Sequence, residues 1–324
     1  MKRILGIGNA LVDVLTKVDN EQILSELHLP KGSMQLLSTE AYAEVTRRMQ
    51  ALPTKLTTGG SACNTLLALS HLDAPTGMIG KIGDDENGRF FASYFAQRGI
   101  STRLLHDSRP TGVASTFITP DGQRTFGTYL GAAARLTADE LQQAWFEGYD
   151  YFYIEGYLVQ NHDLVLRAIE LAHAAGCEVC LDLASYNIVE ADLDFFRALM
   201  PSIDIVFANE QEAQALTGLE ARAALDALAA TCHIAVVKIG KHGVWACHGT
   251  EVAHCQARDV PVVVDTTAAG DYFAAGFMHA LAAGEPLATC IARGSLLAGH
   301  IIEVVGTELP DATWKQLRLQ CGLA

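Results

Sequence analysis

The residues best suited to chemistry are concentrated in the stretch VVVDTTAAGDYFAAGFM, residues 262–278. Its small residues, 268–270, form a predicted turn whose backbone N–H groups a ligand can approach, and the N-terminus of the following helix adds partial positive charge. Asp271 would repel a phosphate that is merely bound, but its carboxylate can accept a proton from an attacking hydroxyl. The stretch is therefore compatible with phosphoryl transfer. It is also compatible with an N-capping aspartate beside a tightly packed turn.

A second candidate pair is Asn9 and Asp13 in ILGIGNALVDVLTKV, a segment that predicts one long β-strand. Residues four apart on a strand project from the same face, so this amide and carboxylate can bind neighbouring hydroxyls of a sugar. A turn acid and a capped strand are the alternative. The glycines Gly6 and Gly8 lack the third glycine and the following helix of a dinucleotide-binding fingerprint, which excludes that interpretation.

Glycines also precede a predicted helix that contains Asn64. Gly59 and Gly60 can simply start this helix, or they can let a ligand touch backbone amides. The sequence contains no Gly-x-x-x-x-Gly-Lys-Ser/Thr stretch, which excludes the common phosphate-loop kinases.

The elements that must position these residues follow from the hydrophobic pattern. After residue 135, short apolar strands alternate with helical segments, which indicates an α/β protein with a mostly parallel sheet covered by helices on both faces. Ligands bind beyond the carboxyl ends of the strands in such folds. Polar residues follow successive predicted strands and should gather along that edge: Glu155, Asp182, Asn209 with Glu212, Lys238 with Gly240, and Asp265 with Asp271.

Residues 112–130 contain two short strands joined by Pro-Asp-Gly-Gln, a pattern that predicts a β-hairpin. We predict a single α/β domain over residues 1–324, carrying a small β lid built from about residues 11–38, 55–60 and 111–130. Residues 262–264 should end a strand, and the helix that begins at Asp271 should run to about Ala283, with a glycine C-cap.

Composition excludes several classes of partner. The formal charge of −14 argues against a nucleic-acid partner, which usually requires clustered Lys and Arg. No apolar run reaches the roughly 18 residues of a membrane span, and glycines interrupt the N-terminal apolar segment before a signal-peptide core can form, so we expect a cytoplasmic protein without a membrane partner. Cys177 and Cys180 lie in a predicted buried strand, so core packing is preferred over redox or zinc chemistry.

Several motifs resemble those of one known family. The stretch from Asp265 to Asp271, with the following Ala-Gly-Phe-Met, resembles the C-terminal signature of the ribokinase-like (PfkB) carbohydrate and nucleoside kinases. Residues 59–64 and 80–88 are similar to the N-terminal signature, although Leu66 and Asp73 depart from it, and residues 209–212 resemble the Asn-x-x-Glu motif. The resemblance covers nearly the whole chain and implies a ribokinase-like fold.

The resemblance also implies a role for each matching residue. Asp271 would be the base for a primary hydroxyl, and Ala268, Ala269 and Gly270 would form the anion hole. The acceptor would contact Asn9, Asp13, Gln35, Leu37, Gly59, Gly60, Asn64, Arg124 and Tyr157. ATP would contact Asn209, Lys238, Gly240, Lys241 and Thr266, while Asn209 and Glu212 would organise Mg²⁺ through water. A monovalent cation such as K⁺ stays open, with Asp265 and Thr267 as candidates.

Within the family, residues 8–13, 35–37 and 110–124 resemble adenosine kinases most. The leading prediction is therefore ATP-dependent phosphorylation of the 5′-hydroxyl of adenosine or a related nucleoside, with closure of the lid excluding water. A sugar kinase acting on ribose, fructose or a similar sugar is the first alternative, and a ligand-binding protein without catalysis is the second. The oligomeric state stays open.

Overall fold

The computed structural model describes residues 1–323. Within that range the strands are β1 Ile4–Ile7, β2 Leu11–Lys17, β3 Met34–Leu36, β4 Thr54–Gly59, β5 Thr76–Gly83, β6 Ser101–Asp107, β7 Gly112–Ile118, β8 Arg124–Tyr129, β9 Tyr151–Glu155, β10 Glu178–Asp182, β11 Ile205–Asn209, β12 Ile234–Lys238, β13 Val244–His248 and β14 Glu251–Cys255. The helices are α1 Gln22–Glu26, α2 Thr39–Met49, α3 Ser61–His71, α4 Glu86–Gln97, α5 His162–Ala174, α6 Tyr186–Ala191, α7 Leu193–Leu199, α8 Glu210–Thr217, α9 Ala221–Ala229, α10 Ala269–Ala282, α11 Leu287–Ile301 and α12 Asp311–Gln320.

The large sheet has nine strands within residues 1–323, in the order β14-β13-β12-β11-β10-β9-β1-β5-β6. The strands from β12 through to β6 pair in parallel, and β13 and β14 add an antiparallel edge. The predicted fold class is confirmed. Parallel strands all point the same way, so their carboxyl ends form one continuous edge.

Helices cover both faces of this sheet because successive side chains of each strand point to opposite sides. One apolar cluster packs α3, α4, α10, α11 and α12 against one face, and contains Ile4 of β1. The other packs α5 and α6 to α9 against the opposite face, and contains the neighbouring Leu5. The two clusters make the large sheet a rigid base for the cleft at its carboxyl edge.

A second sheet of five strands lies over the cleft in the order β3-β8-β7-β2-β4. The predicted hairpin is present as the antiparallel pair β7–β8. A small apolar cluster, which includes Val45 and Met49 of α2 and Phe117 of β7, covers one face of this sheet. The other face carries the Asp13 side chain.

Two strand predictions were wrong. Residues 4–17 form two strands in different sheets, because Gly8, Asn9 and Ala10 pass from the large sheet to the small one. Residues 262–264 run as irregular, exposed chain, attached through a hydrogen bond from Val264 N to Ile302 O of 2.8 Å. A run of valines predicted a strand there by propensity alone, but β14, the last strand of the large sheet, ends earlier, at Cys255.

The helix after the small-residue turn was predicted well, since α10 spans Ala269–Ala282 and Gly284 follows with a φ of 78°. Cys177 and Cys180 are buried, and all eight cysteines are free thiols. None of the helices within residues 1–323 is long and apolar enough to span a membrane.

Candidate active site

A cavity of about 990 Å³ lies at the carboxyl edge of the large sheet. Its walls combine the ends of several strands with the start of α10. The predicted residues that line it are Tyr157, Asn209, Glu212, Lys238, Gly240, Lys241, Thr266, Thr267, Ala268, Ala269, Gly270 and Asp271. Parallel strand order therefore brings together side chains that are far apart in the sequence.

The turn before α10 has an unusual backbone. Ala268 adopts left-handed angles, with φ 62° and ψ 5°, which only a few per cent of non-glycine residues show. Asp265 stabilises the turn, since its Oδ1 accepts hydrogen bonds from Thr267 N at 3.1 Å and Thr267 Oγ1 at 2.8 Å. Ala269 N already donates to Thr266 O at 3.2 Å, so the start of α10 offers a ligand mainly the amides that follow it.

Asp271 is held by two side chains of α3. Ser61 Oγ donates to its Oδ1 at 2.6 Å, and Asn64 Nδ2 donates to its Oδ2 at 2.8 Å. Loss of solvent raises the pKa of Asp271 to about 7, against these two hydrogen bonds and with help from the charges of Asp182 and Glu155. A carboxylate with a pKa near neutrality, fixed at a helix N-terminus, is suited to accept a proton.

Sequence reasoning missed the contact between Asn64 and Asp271. It assigned Asn64 to the acceptor, whereas its amide nitrogen donates to Asp271. Its Oδ1 is buried and has no hydrogen-bond partner within residues 1–323. An unpaired buried oxygen is costly, so a ligand hydroxyl at this point would satisfy it.

Asp13 projects from β2 beside Gly59 of β4. A Cβ on Gly59 would overlap with Oδ1 of Asp13, so glycine makes room for the carboxylate. Burial raises the pKa of Asp13 to about 7, although the nearby Arg124 charge opposes this rise. The second glycine, Gly60, has a φ of 100°, and a Cβ there would overlap with the carbonyl of Asn9. Both glycines are thus required sterically.

Asn9 does not share a strand with Asp13, because it lies in the connection between β1 and β2. The prediction that both project from one strand face was therefore wrong. Asn9 Nδ2 donates to Oε1 of the buried Glu155 at 2.5 Å, and Asn9 N donates to the same oxygen at 2.9 Å. Glu155 had been recognised only as a strand-end residue.

Lys238 ends β12 next to the turn. Its Nζ lies 3.4 Å from Oδ2 of Asp182 and 3.3 Å from the position that a Cβ on Gly270 would take. Burial by itself would lower the pKa of Lys238, but the carboxylates of Asp182 and Glu212 hold this pKa above its ordinary value. A charged ammonium therefore stands beside the candidate anion hole.

Asn209 and Glu212 form a capping box at the start of α8. Glu212 Oε2 accepts from Asn209 N at 2.7 Å, and Asn209 Oδ1 accepts from Glu212 N at 2.9 Å. Burial raises the pKa of Glu212 to about 7, with Lys238 opposing and Asp182 adding to the shift. No cluster of three metal-ligating side chains occurs within residues 1–323. This sparse oxygen set fits a Mg²⁺ ion that keeps most of its water.

Of three further predicted acceptor residues, Gln35 and Leu37 lie on the face of the small sheet opposite Asp13, whereas Arg124 lies on the face of Asp13 and is paired with Asp265. Gln35 pairs with Gly127, and this cross-strand row continues to Val14 and not to Asp13. Because adjacent residues of a strand point to opposite faces, Gln35 points away from the face of Asp13. Leu37 packs beside Gly127 in the cluster under α2. Arg124 pairs with Asp265 at 2.6 Å, on the loop that precedes the turn. Sequence matching located these residues on the lid but could not predict to which face of the small sheet each side chain points.

A buried carboxylate at a helix N-terminus, a strand-edge cavity and a second sheet over the cleft are the features of a ribokinase-like phosphotransferase. Residues 36–314 match the model of the pfkB family carbohydrate kinases, and the chain belongs to this family. It is an ATP-dependent kinase of the carbohydrate and nucleoside group, whose members use ATP and typically Mg²⁺.

Individual relatives differ in their acceptors. An adenosine kinase of Saccharomyces cerevisiae is 28% identical over 330 residues, covering 94% of this chain and 96% of the relative. Fructoselysine 6-kinase of Escherichia coli is 28% identical over 253 residues, covering 78% and 92%. The solved structure of adenosine kinase from Sinorhizobium meliloti is 32% identical, with a TM-score of 0.86 and 99% of each chain covered.

Proposed function

We propose that the chain transfers the γ-phosphoryl group of ATP to the 5′-hydroxyl of adenosine or a related nucleoside. The observation that carries the proposal is Asp271, a carboxylate with a pKa of about 7 fixed by Ser61 and Asn64 at the start of α10. Such a group can deprotonate a hydroxyl beside amides that stabilise the charge of the transferring phosphoryl.

In the proposed reaction, Asp271 takes the proton of the acceptor hydroxyl as the oxygen bonds to the γ-phosphorus, and the bond from phosphorus to the bridging oxygen of ADP breaks. In the turn at Ala268, Ala269 and Gly270, the N–H of Ala269 is bonded to Thr266 O, so the amides that offset the negative charge of the transferring group, together with the Lys238 ammonium, begin at Gly270. Mg²⁺ supplies charge neutralisation at the phosphates when it is bound. Asn209 and Glu212 would hold it through water, and Gly240, Lys241 and Thr266 would line the rest of the nucleotide site.

The cleft offers contacts for a ribose and for a base, and only the contacts for a base favour a nucleoside over a free sugar. Asp13 can accept hydrogen bonds from ribose hydroxyls, and so can the amide oxygen of Asn9. Leu36 lies in the same cross-strand row and on the same face as Asp13, and is 59% exposed, while Met34, two residues earlier, is 52% exposed. Large exposed apolar side chains on the face above a cleft are accounted for if a planar base covers them.

The role of Asp271 is tested by Asp271→Asn. We expect kcat to fall by at least about 10²-fold, with binding of the nucleoside retained, because the amide keeps the shape but cannot accept the proton. Measurement of ADP formation together with calorimetric binding of adenosine separates the two effects. Near-normal turnover would refute the assignment.

The identity of the acceptor is tested by a panel of nucleosides and free sugars with Mg²⁺ and ATP. We expect kcat/KM to be highest for adenosine and to fall for 2′-deoxyadenosine, which lacks one of the hydroxyls proposed to bind Asn9 and Asp13. A sugar acceptor is the second candidate, since fructoselysine 6-kinase has the same 28% identity to this chain as the yeast adenosine kinase, although over 253 residues rather than 330. Preference for a free sugar would establish it, and binding without any ADP formation would indicate a non-catalytic protein.

A further inference from the structure

The chain passes between the large sheet and the lid sheet at several points, and one buried carboxylate contacts two of them. The first crossing is the β1–β2 connection at Asn9, and the second is the β4–α3 connection, whose helix begins at Ser61. Glu155, at the carboxyl end of β9, lies between them with an exposure of 1%.

Each carboxylate oxygen of Glu155 serves one crossing. Oε1 accepts from Asn9 N at 2.9 Å and from Asn9 Nδ2 at 2.5 Å. Oε2 accepts from Ala62 N at 3.0 Å. The oxygens of Glu155 are attached to β9, which is paired with a strand on each side and packed against an apolar cluster.

The surrounding backbone leaves room for this carboxylate. A Cβ on Gly8 would overlap with Oε2 of Glu155. In all three hydrogen bonds an N–H group donates and Glu155 accepts, as expected for an ionised carboxylate, which can only accept. Burial nevertheless raises the pKa of Glu155, and the donated hydrogen bonds oppose that rise.

We propose that Glu155 is a positioning residue that fixes both lid crossings to the large sheet and sets the orientation of the Asn9 amide. With Nδ2 bound to Glu155, Oδ1 is the atom of Asn9 that remains for an acceptor hydroxyl. The part that concerns the acceptor rests on the proposed function, whereas fixation of the two crossings does not.

The test is the isosteric variant Glu155→Gln. A carboxamide has one oxygen, so its NH₂ group must face either the Asn9 donors or the Ala62 N–H, and one crossing loses its acceptor. We expect faster amide hydrogen exchange in peptides that contain Asn9 or Ala62. We also expect the acceptor KM to rise by about tenfold to a hundredfold, the range for hydrogen bonds to a charged group, with a much smaller change in kcat.

The controls separate positioning from other effects. Assays at a pH well above 7 keep Asp271 ionised in both proteins. Glu178→Gln alters a half-exposed carboxylate that begins the neighbouring strand β10 and pairs with Lys2, and it should change neither readout. Glu155→Asp keeps two oxygens on a shorter side chain, and we expect it to restore part of the exchange protection and part of the acceptor affinity.

Unchanged exchange at both crossings in a folded Glu155→Gln protein would overturn the proposal. So would a fall in kcat equal to the fall in kcat/KM, since Glu155 would then act on the chemical step. If the wild-type protein phosphorylates no acceptor, the proposed function fails, but the exchange measurement still decides whether Glu155 fixes the crossings.

Discussion

At the scale of single residues, the cleft holds several acids in an environment that disfavours their charge. Asp13 and Asp271 both have a pKa of about 7, and burial is the main cause for each. The charge of Asp271 adds to the rise in the pKa of Asp13, and the charges of Asp182 and Glu155 add to the rise in the pKa of Asp271. Lys238 and a bound Mg²⁺ ion would offset this repulsion, whereas the phosphates of ATP add negative charge, so the site needs its cations when the nucleotide binds.

This electrostatic arrangement predicts the pH dependence of the reaction. Asp271 must be ionised to act as a base, so kcat/KM for the acceptor should fall as the pH drops below about 7. Asp13 has a pKa in the same range, so kcat/KM should fall more steeply with decreasing pH than it would if one group titrated. The complex of Mg²⁺ with ATP still carries net negative charge, so its binding beside Asp271 should raise the pKa of this carboxyl group, and the fall in kcat should occur at higher pH.

Initial rates over a series of pH values, at low and at saturating acceptor, measure these two profiles. Asp13→Asn provides the comparison, since the fall of its kcat/KM at low pH should have the slope expected for one titrating group. Identical profiles for kcat and kcat/KM would show that the bound ligands leave the pKa of Asp271 unchanged.

At the scale of elements, the turn before α10 combines strain with close packing. Ala268 has a φ of 62°, and left-handed angles cost a non-glycine residue roughly 1–2 kcal/mol. Asp265 binds Thr267 in this turn, accepts from Gly306 N at 3.0 Å and pairs with Arg124 of the lid. Asp265 therefore connects the strained turn to the Gly306 loop and to the lid, and these contacts stabilise its conformation.

Ala268→Gly should relieve this strain. Glycine loses more chain entropy on folding, by about 0.5–1 kcal/mol, so we expect a net gain in the free energy of unfolding of at most about 1 kcal/mol. Urea unfolding measures it. Ala269→Gly, at the first residue of α10, is the matched control and should instead lower this free energy, because it adds chain entropy without relieving a left-handed backbone. A loss in Ala268→Gly as large as that in the control would contradict the strain argument.

Much of this organisation could be predicted from sequence, and the failures have physical causes. Apolar strands alternating with helices predicted the parallel sheet, and the small residues around Asp271 predicted the start of α10. Sequence pattern could not show that Asn9 leaves the strand, because its partner outside the strand is Glu155, which is far away in the chain. Nor could it assign lid faces, since a shift of one residue in register reverses every side chain.

At the scale of the whole molecule, the acidic cleft predicts how stability depends on pH. Asp13, Glu212 and Asp271 have a pKa of about 7 in the folded protein, well above the value near 4 of such groups in an unfolded chain. The folded protein therefore binds more protons between about pH 4 and 7. Stability should fall as the pH rises through this window.

Thermal unfolding of the apo protein between about pH 5 and 8 measures this slope. We expect Tm to decrease toward pH 8 and the decrease to be smaller in Asp271→Asn, which removes one of the three groups. Mg²⁺ and ATP should raise Tm at a given pH, because a ligand that binds only the folded state stabilises it. A Tm that increases from pH 5 to 8 in the apo protein would contradict the assignment of these pKa values.

The position of β1 in the large sheet has a consequence for the synthesis of the protein. This four-residue strand, with Leu5 fully buried, lies between β5 and β9, and Ile7 pairs with Ile79 on one side and Ile154 on the other. A ribosome adds about 5–20 residues per second, so this apolar segment waits roughly ten seconds or more before its second neighbour has been made. Parallel pairing over such a separation is also slow. The nascent chain therefore needs its earliest strand to be shielded from other chains until the centre of the sheet can close around it.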